Sequence, residues 1–600
     1  MYKQTMQKQH FGEVVKRIWK IAMPYWAYSK ERWGSLILLA VNIFVMVFST
    51  RVGVRSTLWN RDWLTAFQTY DAQMWKQQIA VFLLIGAANT FTAQLNAYCE
   101  SWLKIRWRRW MTARYVNYWL EGSAHYRMQL TGNETDNPDQ RIAEDISQFI
   151  NYTWLYSFSF VRNIITLVTY AAMLYDLSLT IPLMLGGKDW SFPGYFVVIS
   201  VIWALVETVI THFSGKQLAR LQYQQQMYAA NYRFALVRVR ECSEQIALLR
   251  GEDVEHGRLM RIFGDVVVNE FRLMGRNLFF GIIQGVLQYA DSMGYTFLLG
   301  PSYFYYGAIS SYGVFQQIAT AFLYTVSALK WFVTYYATLA IFIAVIDRLY
   351  AFNNNYNRTQ ELTLNSKIKI EEGDEDQIVI KHLDVELPTG KLQISANDVV
   401  IKHGEKVLVK GRTGAGKTTV FRVISGIWPF GEGEVVLPKG KKVIVLPQKP
   451  YFPIGTLADA ITYPEPSGTY SREDMVKALQ LVGMADYAAR LDEEGHWNMI
   501  CSGGEQQRLA IARALLFKPD YMFFDEATAS MDEPSEMELY TMLNEEAKDA
   551  TIISIGHRSS LAQFHDRTLF AEKEPDGHYL FRENYHPEDE DEDEPTQPVR

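Results

Sequence analysis

Two uncharged runs exclude a fold made in water alone. Trp33 to Thr50 holds about eighteen residues and Gln77 to Cys99 slightly more, none of them charged. Each can cross a hydrocarbon layer of roughly 30 Å as a helix. A segment in lipid has no water to satisfy its N–H and C=O groups, so these runs read as the first two spans of an all-α membrane domain.

Further spans follow from about Tyr152 to Tyr175 and from about Phe192 to Phe213. Ser292 to Leu329 carries no charge and is too long for one helix; Gly300, Pro301 and the turn-like GAISSYG, Gly307 to Gly313, break it. It reads as a hairpin with span five near Asn277 to Phe304 and span six near Val314 to Val345. Six is the most economical count. Lys16, Arg17 and Lys20 precede span one, Lys104, Arg106, Arg108, Arg109 and Arg114 follow span two, and Lys216, Arg220, Arg233, Arg238 and Arg240 follow span four. The loop between spans five and six has no basic residue, so the positive-inside tendency places both termini in the cytoplasm. No cleavable signal peptide is read in MYKQTMQKQHFGEVVKRIWK. The long polar connections after spans two and four are expected to continue as helices.

Charge adds a limit. The net −7 is matched by the seven acidic residues Glu588 to Glu594, so the rest of the chain is neutral and bulk charge gives no reason to expect nucleic acid. That run reads as a solvated, disordered end. Cys99, Cys242 and Cys501 are isolated, without disulfide or zinc-site spacing. Composition shifts near Ala351. The expected organisation is a transmembrane domain over 1–350, a linker over 351–376, an α/β domain over 377–585 and an acidic tail over 586–600. In the third part QIVIKHL, EKVLVKG, KKVIVLP, YMFFDEA and ATIISIGH read as strands of a mixed or mostly parallel sheet.

EKVLVK leads into Gly411, Arg412, Thr413, Gly414, Ala415, Gly416, Lys417 and Thr418, which match GxxxxGK[ST] between a strand and a helix; Thr419 follows on that helix. Glycines let backbone N–H groups close on phosphates at the helix N-terminus. Lys417 would neutralise the β- and γ-phosphates and Thr418 would ligate Mg²⁺. Four apolar residues, Tyr521 to Phe524, precede Asp525 and Glu526, placing one carboxylate to hold Mg²⁺ and the next to polarise the attacking water.

Cys501, Ser502, Gly503, Gly504, Glu505, Gln506, Gln507 and Arg508, followed by LAIARALLFKPD, resemble the signature of the ABC transporter superfamily, with Cys501 in place of the usual Leu and Glu505 in place of the usual Gln. The resemblance implies that Ser502, Gly503 and Gly504 reach the γ-phosphate of ATP held by an opposite subunit. It makes Gln448 a Q-loop ligand of Mg²⁺ and water, Ser530, Met531 and Asp532 a D-loop, and His557 a switch histidine. The stretch DVELPTGKLQIS offers no aromatic residue to stack on adenine, so adenine selectivity stays open. DNPDQRIAEDI (Asp136 to Ile146), NYRFALVRVRECSEQIALLRGE (Asn231 to Glu252), GIWPFGEG and LPQKPYFPIGTLADAITYP are similar to SbmA/BacA-like peptide transporters and ABC subfamily D.

The family resemblance implies a six-span domain with an exporter-type fold, a homodimer in membrane lipid, and an ATPase coupled to transport, with ATP and Mg²⁺ as cofactors. Uptake of a peptide or bulky hydrophilic compound across a bacterial inner membrane is the first expectation; export of a lipid or drug-like amphiphile is the alternative. A non-transporting ABC ATPase would lack the spans. Glu244, Gln245 and Gly251 suit a docking helix. Asp139, Arg141, Glu144 and Asp145 read as a clasp or a surface ion-pair network. Arg162, Glu207, His212, Asp291 and Lys330 are costly in lipid and read as facing a cavity or a partner.

Overall fold

The computed structural model describes residues 11–130 and 137–583; the acidic run Glu588 to Glu594 and Asp136 lie outside them. The chain divides into two units, Met1–Asn117 with Asn137–Asn353, and Tyr118–Asp136 with Asn354–Arg600.

The first unit is helical. An amphipathic helix, α1 (Phe11–Tyr28), precedes α2 (Arg32–Gln68), α3 (Ala72–Leu120) and α4 (Pro138–Thr180), which contains π-type turns at Arg141–Asp145 and Leu155–Ser159. Then come α5 (Tyr195–Glu241), the short α6 (Ser243–Leu248), α7 (Glu252–Phe304) and α8 (Tyr312–Leu364). Five of the expected spans fall within one of these helices, the fourth starts three residues before α5, and α3 and α5 continue far past their apolar runs as expected. Ile37, Phe44, Leu83, Leu84, Ile202 and Leu205 are exposed, an arrangement stable only against an apolar solvent. Among the described residues, α2, α3, α4 and α5 are long and apolar enough to cross a membrane. The expected spans five and six lie on α7 and α8, where Gly, Gln, Ser and Tyr dilute the apolar content.

Two expectations need correction here. Gly300 and Pro301 do not break the hairpin: α7 runs through both to Phe304, and the turn lies between Phe304 and Tyr312. A proline this close to a helix end removes one donor from a turn that is about to stop. Residues 351–376, expected as a linker, are not an irregular loop. Helix α8 continues to Leu364, with Phe352 buried against Tyr115 and Thr359 almost fully enclosed, and Lys367–Gly373 is a strand of the second unit's sheet. Packing outweighs the loop-like composition of NNNYNRTQ.

Two groups of charged residues in the first unit pair where they are buried. Arg141 (5% exposed) and Asp145 (1%) form a 2.8 Å ion pair, and Arg348 adds bonds of 2.8 and 2.6 Å to the same carboxylate. This is a buried cluster rather than a surface network; Asp139 and Glu144 stay exposed outside it. Lys330 on α8 lies 2.5 Å from Glu207 on α5 and 2.8 Å from Asp291 on α7, and the Trp203 indole N–H donates to Asp291 at 2.7 Å. Glu207 thus sits among protein groups, whereas Arg162 and His212 are exposed. Glu244 and Gln245 on α6 are exposed in their unit.

The second unit is built on a ten-stranded sheet. Its strands are β1 (Lys367–Gly373), β2 (Gln377–Glu386), β3 (Leu392–Lys402), β4 (Lys406–Gly411), β5 (Gly431–Pro438), β6 (Val443–Leu446), β7 (Tyr521–Asp525), β8 (Thr551–Ile555), β9 (Arg567–Lys573) and β10 (Tyr579–Glu583). They lie in the order β1-β5-β2-β3-β10-β9-β4-β8-β7-β6. Strands β9, β4, β8, β7 and β6 are all parallel, while β2 pairs antiparallel with β3 and β5. The sheet is therefore mixed, with the parallel part carrying continuous buried runs such as Tyr521–Phe524 and Thr551–Ile555. The carboxyl ends of β4, β7 and β8 stand side by side, where open α/β sheets place their ligands.

Candidate nucleotide site

Strand β4 ends at Gly411, and the loop after it feeds α9 (Lys417–Ile424). Gly416 has φ +99, and a Cβ there would come within 2.9 Å of Ile394 and 3.0 Å of Gln393, so only glycine fits without strain. Arg412, Thr413 and Gly414 are exposed at the loop tip, while Ala415, Gly416 and Lys417 are buried. Lys417 turns its Nζ back on the loop, donating to the carbonyls of Gly411 at 2.6 Å and Arg412 at 3.0 Å. Thr418 donates to Asp525 Oδ1 at 2.7 Å, and Thr419 to Gln393 Oε1 at 3.2 Å; the Gln393 amide in turn donates to the Gly414 carbonyl.

Electrostatics here favour a charged guest. Burial pushes the Lys417 ammonium below its usual range, and burial likewise pushes the Asp525 carboxyl up despite the Thr418 hydroxyl bonded to it. A phosphate beside Lys417 and a cation beside Asp525 would each offset that desolvation. The Thr418 hydroxyl and Asp525 carboxylate are hard oxygen donors of the kind Mg²⁺ takes.

Glu526 follows Asp525 with φ +51, a left-handed conformation costly for a residue with a Cβ and met chiefly at functional sites. Its Oε2 accepts from the Gln448 side chain at 2.8 Å, and its Oε1 lies 3.2 Å from His557 Nε2. Register explains the convergence: β7 and β8 pair Asp525 with Ile555, and the Glu526 N–H donates to the Ile555 carbonyl, so both strand ends stop at one level. Gln448, expected among the metal ligands, is bonded to Glu526 rather than to Thr418 or Asp525.

Ser502, Gly503 and Gly504 form a second cluster at the start of α10 (Gly503–Phe517). Ser502 and Glu505 form a reciprocal capping box. A Cβ on Gly503 would stand 3.3 Å from Ser530, so the D-loop packs directly on the signature. Asp532 caps α11 (Glu533–Glu546), and its carboxyl is held below the usual range by the Ser535 hydroxyl. Among the described residues no hydrogen bond joins Ser502, Gly503 or Gly504 to residues 411–419.

Three residues to which the sequence assigns no role tie these parts together. Gln507, 1% exposed on α10, accepts from the Ser530 N–H at 2.9 Å and donates to the Gln448 carbonyl at 3.4 Å. Arg558, next to His557, donates to the Met531 carbonyl and to Glu536, which is nearly fully buried. The adjacency of Gln507 to SGGE and of Arg558 to His557 was the signal available. Gln393, in a hairpin with no motif, had none.

Residues 18–303 match the family model described as ABC transporter transmembrane region 2, and residues 395–529 the model described as ABC transporter. An uncharacterized ABC transporter ATP-binding protein of Haemophilus influenzae is 30% identical over 93% of this chain and 92% of its own. The inner membrane ABC transporter ATP-binding protein YddA of Escherichia coli is 29% identical over 89% and 93%, and the human lysosomal cobalamin transporter ABCD4 26% over 92% and 93%. The chain belongs to the ABC transporters, as a half-transporter that joins one membrane domain to one ATP-binding domain and couples ATP hydrolysis to transport.

Proposed function

We propose that the protein is an ATP-driven importer of peptides or bulky hydrophilic compounds, of cobalamin-like size and polarity, across a bacterial inner membrane, working as a homodimer by alternating access. Residues 411–419 and the cluster at Ser502 form separate centres within one chain, which supports completion of each ATP site by a second copy. In this reading each copy crosses the membrane six times, α7 and α8 supplying the last two spans, with both termini and the ATP-binding domain in the cytoplasm. The names of two relatives, an inner membrane transporter and a cobalamin transporter, support the location and the cargo class.

The roles follow from the geometry. Backbone N–H groups of 411–416 and the Lys417 ammonium hold the phosphates of ATP, with Thr419 steadying the loop through Gln393. Thr418 and Asp525 hold Mg²⁺, which supplies charge neutralisation on the phosphates when bound. Glu526 orients and deprotonates the attacking water. Gln448 and His557, which grip its two oxygens in the resting state, release it when nucleotide arrives and then contact water and γ-phosphate. Ser502, Gly503, Gly504 and Asp532 of the second copy close the site. The carrying observation is the placement of Glu526 between Gln448 and His557 beside the Thr418–Asp525 pair.

Uptake of labelled cobalamin and of a labelled proline-rich peptide by cells expressing wild type or Glu526→Gln tests the reading. Uptake lost in the variant supports an ATP-driven importer and names its cargo. No uptake by either, with the protein in the membrane and its ATPase stimulated by amphiphiles, overturns import in favour of export.

A further inference from the structure

Glu505 takes up the donors that the signature would offer to phosphate. Its Oε2 accepts from the Ser502 backbone N–H and from the Ser502 hydroxyl, both at 2.8 Å, and its Oε1 accepts from the Tyr487 hydroxyl at 2.8 Å. The two Ser502 donors hold this carboxyl below the usual carboxylate range, so it is ionised at neutral pH. Among the described residues Glu505 forms no ion pair, and the nearby Arg490 is engaged by both oxygens of Glu493 at 2.7 and 3.0 Å. A negative charge therefore sits at the positive end of the fifteen-residue helix α10, the end that receives the γ-phosphate in the composite-site reading.

We propose that Glu505 is an internal anion that competes with the γ-phosphate of ATP for the N-terminus of α10, and so sets the ATP concentration at which the two copies close. This rests on the composite-site reading above. Closure requires the Ser502 hydroxyl to turn from Glu505 to the phosphate, while two anions approach one helix end. Glu505 touches no substrate in the resting chain; it is a positioning residue acting through Ser502. The Tyr487 hydroxyl holds the other carboxylate oxygen, so the side chain cannot swing away without breaking that bond.

Glu505→Gln tests this, because the amide oxygen can still accept from the Ser502 N–H and keep the capping box while the charge is gone. In the full-length protein in lipid nanodiscs, the KM for ATP should fall about fivefold to tenfold, the range expected for removing one like charge near a phosphate in a partly solvated site. The kcat should stay near wild type, and the KM difference should shrink in molar salt. The same downward shift should appear in the ATP midpoint for closure of the two copies, read by cross-linking in a Glu526→Gln background. A KM and midpoint equal to or above wild type in Glu505→Gln overturn the proposal. Ser502→Ala is run beside it: impaired ATP-driven closure there with an unchanged Glu505→Gln rejects this inference alone, whereas an unaffected Ser502→Ala rejects the composite site and this inference with it.

Discussion

Replacing Glu526 by glutamine separates binding from chemistry. The resting carboxylate accepts one bond from Gln448 at 2.8 Å and faces His557 at 3.2 Å. A glutamine of the same shape keeps an oxygen toward the Gln448 amide and can turn its own amide toward the imidazole, so the resting contacts survive and the fold is not disturbed. Only the charge and the ability to take a proton are lost. General-base assistance contributes about 10²- to 10⁴-fold, which at about 1.36 kcal/mol per decade corresponds to a barrier increase of about 2.7 to 5.4 kcal/mol. Purified variant in nanodiscs should hydrolyse ATP slower by that factor, with unchanged affinity in equilibrium nucleotide binding. It should also accumulate a closed dimer once ATP is added. A kcat within about threefold of wild type would refute the assignment of Glu526 as the base.

Lys330→Met removes the cation shared by Glu207 and Asp291, which are 1% and 17% exposed at the side chain. Stranding two buried carboxylates costs about 3 to 5 kcal/mol, so thermal unfolding in a fixed detergent should drop by several degrees, and the triple variant Glu207→Gln/Asp291→Asn/Lys330→Met should recover most of the loss. An unchanged melting temperature in the single variant would contradict the geometry. His565 is held neutral by burial, its pKa pushed down, with ring nitrogens bonded to the Leu561 carbonyl and the Ser554 hydroxyl. A depressed histidine contributes stability that is complete above its unfolded value of about 6.5 and is lost as pH falls through that value toward the folded one. Melting of the ATP-binding domain should therefore weaken between neutral pH and pH about 5, and His565→Asn should flatten that dependence; an identical slope in the variant would reject it.

Local patterns made much of this molecule legible. The first two span positions follow from the absence of charge over a hydrocarbon width, and each of these lies within one helix because a helix alone satisfies its backbone in lipid. Lys417, Thr418, Asp525 and Glu526 were readable because phosphate and water chemistry demands particular groups next to glycines or at strand ends. Composition failed where packing overruled it. NNNYNRTQ reads as loop yet carries α8 onward, and Pro301 reads as a breaker yet sits inside the last turn of α7. Of the strands, β1, β3, β5, β9 and β10 escaped notice: β1 and β5 take their places from neighbours distant in sequence, whereas β3 and β10 close hairpins on β2 and β9.

The sequence by itself determined that this chain must enter a membrane and that it carries a phosphate loop, an acidic strand end and a signature in fixed order. Those properties depend on residues within a few positions of one another. Only the tertiary structure decided which of them meet. It joined Glu207, Asp291 and Lys330 from three helices and set Glu526 between Gln448 and His557. Helix packing and strand register bring together groups separated by dozens of residues, and no periodicity along the chain encodes such a meeting.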